Sequence, residues 1–150
     1  MISGFFARGL GPQPWLRMSV VVPEFGPIAA RFPFIVDTGA TATVIHARDA
    51  LFFFGLSPAD LDSSMWTNAI TVGGVGGSML CKESSATFAF QNDDGTIDKI
   101  EGTVLIGDMR SAGLPSLLGR DLLRLFHLEI HGDESVALQR LVNPWIGLSR

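Results

Sequence analysis

The amino-acid sequence predicts an all-β, barrel-like domain. Short β-prone runs recur along the chain, bounded by Gly, Pro, Asn and Asp clusters. Strand and helix patterns do not alternate as they would in a parallel α/β sheet. No segment repeats at a fixed period.

In chain order, residues 15–22 read as a strand closed by the turn Pro23-Glu24-Phe25-Gly26-Pro27. Residues 28–36 form a second strand, where Pro33 cannot donate to a ladder and so predicts an edge or a bulge. A sharp loop follows over residues 37–40, and residues 43–45 return as a short strand. Residues 47–54 form a short helix ended by Gly55. Leu51-Phe52-Phe53-Phe54 is apolar on too many sides for a surface helix, so core or interface is expected there. Ser57 and Pro58 mark another helical start. Two β-prone arms, 66–72 and 79–90, flank Gly73-Gly74-Val75-Gly76-Gly77. A hairpin turn at 91–95 leads to a strand over 96–106, a loop over 107–115 and a short buried strand at 116–118. A helix is expected over 120–126, with Leu122, Leu123, Leu125 and Phe126 on one broad face. Residues 127–131 and 135–141 pair as a final hairpin, leaving a loosely held tail from Asn143 through Pro144 and Trp145.

Composition narrows the function. The 150 residues suit one domain, with its core at about 15–141, and bury roughly 70% of the unfolded surface. An apolar share of 47% against 17% charged leaves surface to hide in a partner. The net charge is −4 with no basic cluster, which argues against nucleic acid. Residues 1–11 lack the apolar run and small-residue cleavage site of a signal peptide, and no run reaches membrane-spanning length. Cys81 is the lone cysteine, which points to a reducing, cytoplasmic compartment and to a buried or half-buried thiol.

The chemistry centres on Val36-Asp37-Thr38-Gly39-Ala40, where a carboxylate ends an apolar strand. An unpaired carboxylate there costs several kcal/mol or takes up a proton. The tripeptide fits an Asx-turn as well as it fits a catalytic acid. Four glycines in the five residues 73–77 exceed what a hairpin turn needs, which suggests a mobile lid or backbone that closely approaches a ligand. No Lys-Ser/Thr follows them, so they are not a phosphate loop. The Asp93-Asp94 pair reads as a solvated turn and not as a calcium loop. His46, His127 and His131 are far apart in sequence, Cys81 has no ligand at metal spacing, and no Gly-x-Ser-x-Gly elbow is present. No metal and no cofactor is expected.

The order of three features resembles the retropepsin-like aspartic proteases. Asp37-Thr38-Gly39-Ala40 follows an apolar strand, the glycine-rich hairpin comes next, and Leu117-Leu118-Gly119-Arg120-Asp121-Leu122-Leu123 follows that. Gly73-Gly74-Val75-Gly76-Gly77 is similar to the flap tip of the viral enzymes, and residues 102–107 to the strand leading into their substrate wall. The closing hairpin, 128–141, is more similar to cellular relatives of the DNA-damage-inducible type. The resemblance covers about residues 15–141.

The resemblance implies a retropepsin-like closed barrel with a glycine-rich flap hairpin and one or two short helices. It implies an aspartic endopeptidase acting on extended polypeptides, with a carboxylate dyad and an activated water at the two-fold axis of a homodimer. Asp37, Thr38 and Gly39 would be catalytic, Thr38 bonding across the axis. Ala40, Thr41, Val44, Gly73, Gly74, Val75, Gly76, Gly77, Leu114 and Leu117 would meet the peptide. Only one Asp-Thr-Gly is present, so the second carboxylate comes from a second copy. A catalytically weak peptide-binding or assembly module of the same fold is the alternative. Thr41 stands where viral enzymes carry an Asp that pairs with the Arg of the Gly-Arg step, so Arg120 needs another partner. The loop 108–116 is longer than theirs, both terminal segments differ, and without any Tyr the flap tyrosine of two-lobed enzymes is absent.

Overall fold

The computed structural model describes residues 1–6, 13–74, 77–132 and 135–142. Val75, Gly76 and the tail from Asn143 lie outside the described residues. The chain is mostly β. In order it runs β1 (Ile2–Ser3), β2 (Phe5–Phe6), β3 (Pro14–Val21), β4 (Ala29–Val36), β5 (Val44–Ile45), α1 (Ala47–Phe54), β6 (Ile70–Gly74) and β7 (Gly77–Gln91). It continues with β8 (Ile97–Gly107), β9 (Leu117–Leu118), α2 (Arg120–Leu123), β10 (Phe126–His131) and β11 (Ser135–Arg140).

One sheet has the order β2-β3-β4-β9-β5-β8-β7-β6, and an additional β3–β7 pairing joins its two halves. The strands β3, β4, β9, β5, β8 and β7 thereby form a ring. The pleat explains what fills it. Along β4, Ala30, Phe32, Phe34 and Val36 are buried while Ala29 and Arg31 are exposed, and along β3 Leu16, Met18 and Val20 are buried. Facing them, Phe88 and Phe90 of β7 are fully buried. The Phe32 ring stacks on Phe34 and Phe53 at centroid distances of 4.5 and 4.7 Å. Each fully buried Phe contributes about 1.5–3 kcal/mol of transfer free energy. Pro33 sits opposite Arg17 of β3, and β9 joins the other side of β4 only at Ile35 and Val36. Among the described residues β4 is thus an open edge at Pro33, as the missing N–H requires.

One helical expectation changes. The helix over 120–126 is a four-residue turn, α2, and Phe126 already belongs to β10. Strand pairing outcompetes the helical pattern: Phe126 pairs with Arg140, the Leu141 N–H donates to Leu125 O, and the Phe126 ring packs 4.9 Å from Phe90. Helix α1 does run over Ala47–Phe54, ended by Gly55 at φ 66, the left-handed conformation that glycine accepts without strain. Its aromatic run divides, however. Phe54 is buried edge-on to Phe25 and Phe32, Phe53 is half-buried, and Phe52 is 79% exposed. The first β-prone arm is also shorter than expected: a helical turn over Ser63–Met65 precedes it, and the ladder starts at Ile70. No helix among the described residues is long and apolar enough to cross a membrane.

This division predicts unequal costs within one tripeptide. Phe54→Ala should lower stability by about 3–5 kcal/mol, and Phe52→Ala by no more than about 0.5 kcal/mol. Urea unfolding of the two variants beside the unmodified protein checks the contrast.

Candidate active site

Strand β9 is the wedge on which the site is built. It lies between β4, in parallel register (Ile35 with Leu117, Val36 with Leu118), and β5, antiparallel to it at Val44–Leu117. The Asp37 N–H donates to Leu118 O at 3.0 Å, so the last bond of this ladder fixes the residue itself. The chain then reverses. The Ala40 N–H returns to Asp37 O at 3.2 Å, and the Gly39 N–H donates to Asp37 Oδ1 at 2.9 Å. A side chain at residue 39 would place its Cβ 3.2 Å from that oxygen, so glycine serves the close approach. Asp37 is half-buried, while Thr38 and Gly39 are exposed at the crest of the turn.

Helix α2 clamps the far side of this loop. The Arg120 N–H donates to Ala40 O at 2.9 Å and the Asp121 N–H to Thr41 O at 3.2 Å. In return the Asp121 carboxylate accepts from the Thr43 N–H (3.0 and 3.1 Å), from the Thr43 hydroxyl (2.7 Å) and from the Leu122 N–H (2.8 Å). Thr43 Oγ1 accepts from the Gly119 N–H at 3.1 Å. Sequence reasoning placed Asp121 at a helix start. It lies in the first turn of α2, whose N-cap is Gly119, and three of its four hydrogen bonds run to Thr43, a residue that reasoning did not select. No local signal marks the pair, since Thr43 and Asp121 are 78 residues apart. The partner that Arg120 required is Thr41 itself, whose Oγ1 accepts from Nη2 at 3.4 Å.

The wall loop is anchored by a second polar cluster. Asp49, buried on α1, accepts from both the N–H and the hydroxyl of Ser116 (3.2 and 2.7 Å). Ser116 Oγ in turn accepts from the His46 N–H at 3.1 Å. The His46 Nδ1–H donates to Pro115 O, and Nε2 is buried with no hydrogen-bond partner among the described residues. Burial pushes the His46 pKa down, and Pro115 and Asp49 only partly oppose this. Asp108, at the start of the loop, accepts from Ser63 and pairs with Arg110. Cys81 is wholly buried nearby, and burial, with Asp108 adding to it, pushes its thiol up to about 11, which makes it an inert core group.

The other candidate residues distribute unevenly. Ala40 and Leu117 are half-buried beside Asp37, and Thr41 is exposed. Val44 is buried within the ladder, and Leu114 is 47% exposed on the loop. Gly73 and Gly74 end β6, paired with Ser78 and Gly77 of β7, and the expected flap residues Val75 and Gly76 lie outside the described residues. Gly77 has φ 132, a glycine conformation, yet a Cβ at Gly73 or Gly77 would meet nothing within 4 Å. Among the described residues, no hydrogen bond joins this hairpin to the Asp37 loop. A groove of about 690 Å3 beside Glu24, Trp66 and Lys82 includes none of the candidate residues. No group of metal-binding side chains occurs among the described residues.

A ring of strands with few helices agrees with the all-β retropepsin-like fold. The model of the retroviral aspartyl protease family matches residues 11–131, and the chain belongs to that family. No curated protein matches the chain.

Two predictions test the support of the site. At Gly119 a Cβ would lie 2.5 Å from the carbonyl carbon and oxygen of Ala42 and 2.9 Å from Thr43 N, all of them backbone. Gly119→Ala should therefore cost at least about 1–3 kcal/mol, measured by thermal unfolding, although glycine-to-alanine changes in open positions stabilise. His46 gives the second. Its folded pKa lies below the unfolded value of about 6.5. The unfolded chain then takes up this proton first, so stability is full above about pH 6.5 and falls as pH drops towards the folded value. Asn at this helix N-cap offers an N–H donor in place of Nδ1–H and does not titrate. The stability of His46→Asn should hence fall less than that of the parent between about pH 6.5 and 5, measured by urea midpoints across that range.

Proposed function

We propose that the chain is a homodimeric aspartic endopeptidase, a single retropepsin-like domain whose site is completed by Asp37 of a second copy. The observation that carries this reading is the Asp37 turn. Its carboxylate stands at the end of a fixed ladder, and the exposed Thr38 and Gly39 beside it leave the turn open to a partner. The family match adds the chemistry, since aspartic proteases work with paired carboxylates.

In this mechanism a water lies between the two Asp37 side chains. Two carboxylates about 3 Å apart repel by about 5 kcal/mol at an effective dielectric of 20, so the pair holds one proton between them. The unprotonated member takes a proton from the water as its oxygen attacks the scissile carbonyl carbon. The protonated member gives its proton to the carbonyl oxygen, forming a neutral gem-diol. As the diol collapses and its C–N bond breaks, the now protonated carboxyl gives its proton to the amine nitrogen and the other carboxylate takes one from a diol hydroxyl, so the pair again holds one proton. The β6–β7 hairpin supplies backbone for an extended peptide, by strand addition. Gly73 supports this role, because its lack of a side chain answers no contact inside the chain.

Asp37→Asn should lower kcat/KM for an unfolded protein substrate at pH 4–7 by at least about 10³-fold, with its unfolding transition unchanged. Activity per chain of the unmodified enzyme should also fall on dilution. Wild-type turnover by the purified variant would show that Asp37 is not the catalytic group. Undiminished activity of a strictly monomeric protein would show that one chain suffices.

A further inference from the structure

The Asp37 turn is bonded to a cation that has no carboxylate partner among the described residues. Arg48 pairs with Asp49, Lys82 with Glu24 and Arg110 with Asp108. Arg17 and Arg140 lie over the Phe5 and Phe126 rings. Arg120 has neither kind of neighbour among the described residues. Its backbone N–H donates to Ala40 O at 2.9 Å, Gly119 before it is pressed against the Ala42–Thr43 backbone, and Asp121 after it is tied to Thr43. The base of its side chain is thus fixed against the turn, while Arg120 itself is exposed. The Asp121 carboxylate faces Thr43 and the Leu122 N–H. The hydrogen bond of the guanidinium, from Nη2 to Thr41 Oγ1, is 3.4 Å long, beyond the usual range of about 2.7–3.2 Å. Most of its N–H donors therefore find no acceptor in the described chain.

We propose that Arg120 selects the substrate by taking the side-chain carboxylate of an Asp or Glu on the bound peptide, near the bond to be cut. A planar guanidinium presents paired N–H donors that match a carboxylate. Its reach is bounded. Thr41 follows Asp37 by four residues, so their Cα atoms are at most about 15 Å apart, and the bond from the Ala40 N–H to Asp37 O draws the turn in further. An extended peptide advances about 3.3 Å per residue, so the acidic residue lies within about five residues of the cut. The remaining electrostatics run the other way. The chain carries a net charge of −4, and the proposed dyad holds one negative charge more than a neutral pair, so an acidic peptide is repelled unless a cation stands at the site. Arg120 places one there. This inference rests on the protease reading above and adds the class of substrate.

Cleavage of an unfolded protein, read by mass spectrometry, supplies a cut site and a synthetic peptide that spans it. Each position within about five residues of the cut is then made Glu or Gln in turn. kcat/KM is measured at about pH 6, where Glu is ionised, with enzyme concentration raised until activity per chain is constant. At one position, or at two neighbouring ones, the Glu peptide should be cut at least about 5-fold faster than the Gln peptide, and added salt should shrink that ratio. In Arg120→Gln the ratio should fall to about one or below. In Arg120→Glu a Lys peptide should become the preferred one at the same position. Damage to the fold or to the association of copies would slow both peptides alike and leave the ratio unchanged. If cleavage is lost in Asp37→Asn but no position of the unmodified enzyme's substrate favours Glu, the Arg120 assignment is overturned and the protease reading stands. The same holds if the Glu preference survives in Arg120→Gln. A Glu preference that salt does not reduce would also overturn it, and that measurement needs only the unmodified enzyme. If nothing is cleaved, or cleavage is undiminished in Asp37→Asn, the protease reading falls and this inference falls with it.

Discussion

The Asp121–Thr43 contact is the constraint on which the site depends. A loop carrying a carboxylate at the end of a buried strand has no reason of its own to stay folded back. Here its far end is held by bonds that cross in both directions. Backbone N–H groups of Arg120 and Asp121 run to Ala40 O and Thr41 O, and Thr43 runs to the Asp121 carboxylate. Hydrogen bonds to a charged acceptor are worth about 1.5–3 kcal/mol each, and those to Asp121 are partly buried. The crossing is tight enough that only glycine fits at residue 119, where the two backbones meet. What the chain fixes is therefore the backbone below Asp37, and what it leaves open is the crest at Thr38 and Gly39.

The same logic accounts for the glycines. At Gly39, Gly107 and Gly119 a side chain would press on a neighbour already in place: Asp37 Oδ1, Ser111 with His46, and the Ala42–Thr43 backbone. These residues are small because the chain packs against itself. Gly73 meets nothing, and its smallness has no internal cause. The chain thus holds both kinds of glycine, those that a neighbour requires and one, on the β6–β7 ladder, that no neighbour requires.

Much of this was legible in the sequence because it follows from period and punctuation. The apolar run of β4, the turn at Asn92–Gly95, and Gly55 after α1 are local signals, and each appears where the pattern puts it. The Asp37 turn was legible for the same reason. The clamp was not, since Thr43 and Asp121 are 78 residues apart and neither is unusual where it stands. The overlong helix had a different cause. Leu122, Leu123, Leu125 and Phe126 do satisfy a helical face, but the pairing of Phe126 with Arg140 is a distant contact that a local period cannot register. The aromatic run of α1 shows a third limit: the helical pattern indicated core or interface for the whole run, and only geometry distinguishes the buried Phe54 from the exposed Phe52.

The wall loop carries the remaining tension. Its polar ties are made by neutral or anionic groups deep in the chain: Ser116 on Asp49, and His46 on Pro115 O. An imidazolium at His46 would face burial with Nε2 unpartnered, and the nearby Asp49 carboxylate offsets only part of that cost. The shared-proton dyad we propose would, by contrast, need a medium acidic enough to retain its one proton. The pH that would favour that chemistry lies towards the side on which the loop beside Leu117 loses support. A site that works in mild acid must then draw its rigidity from elsewhere. The Asp121 carboxylate, held by four donated hydrogen bonds, supplies it from the opposite flank of the Asp37 loop.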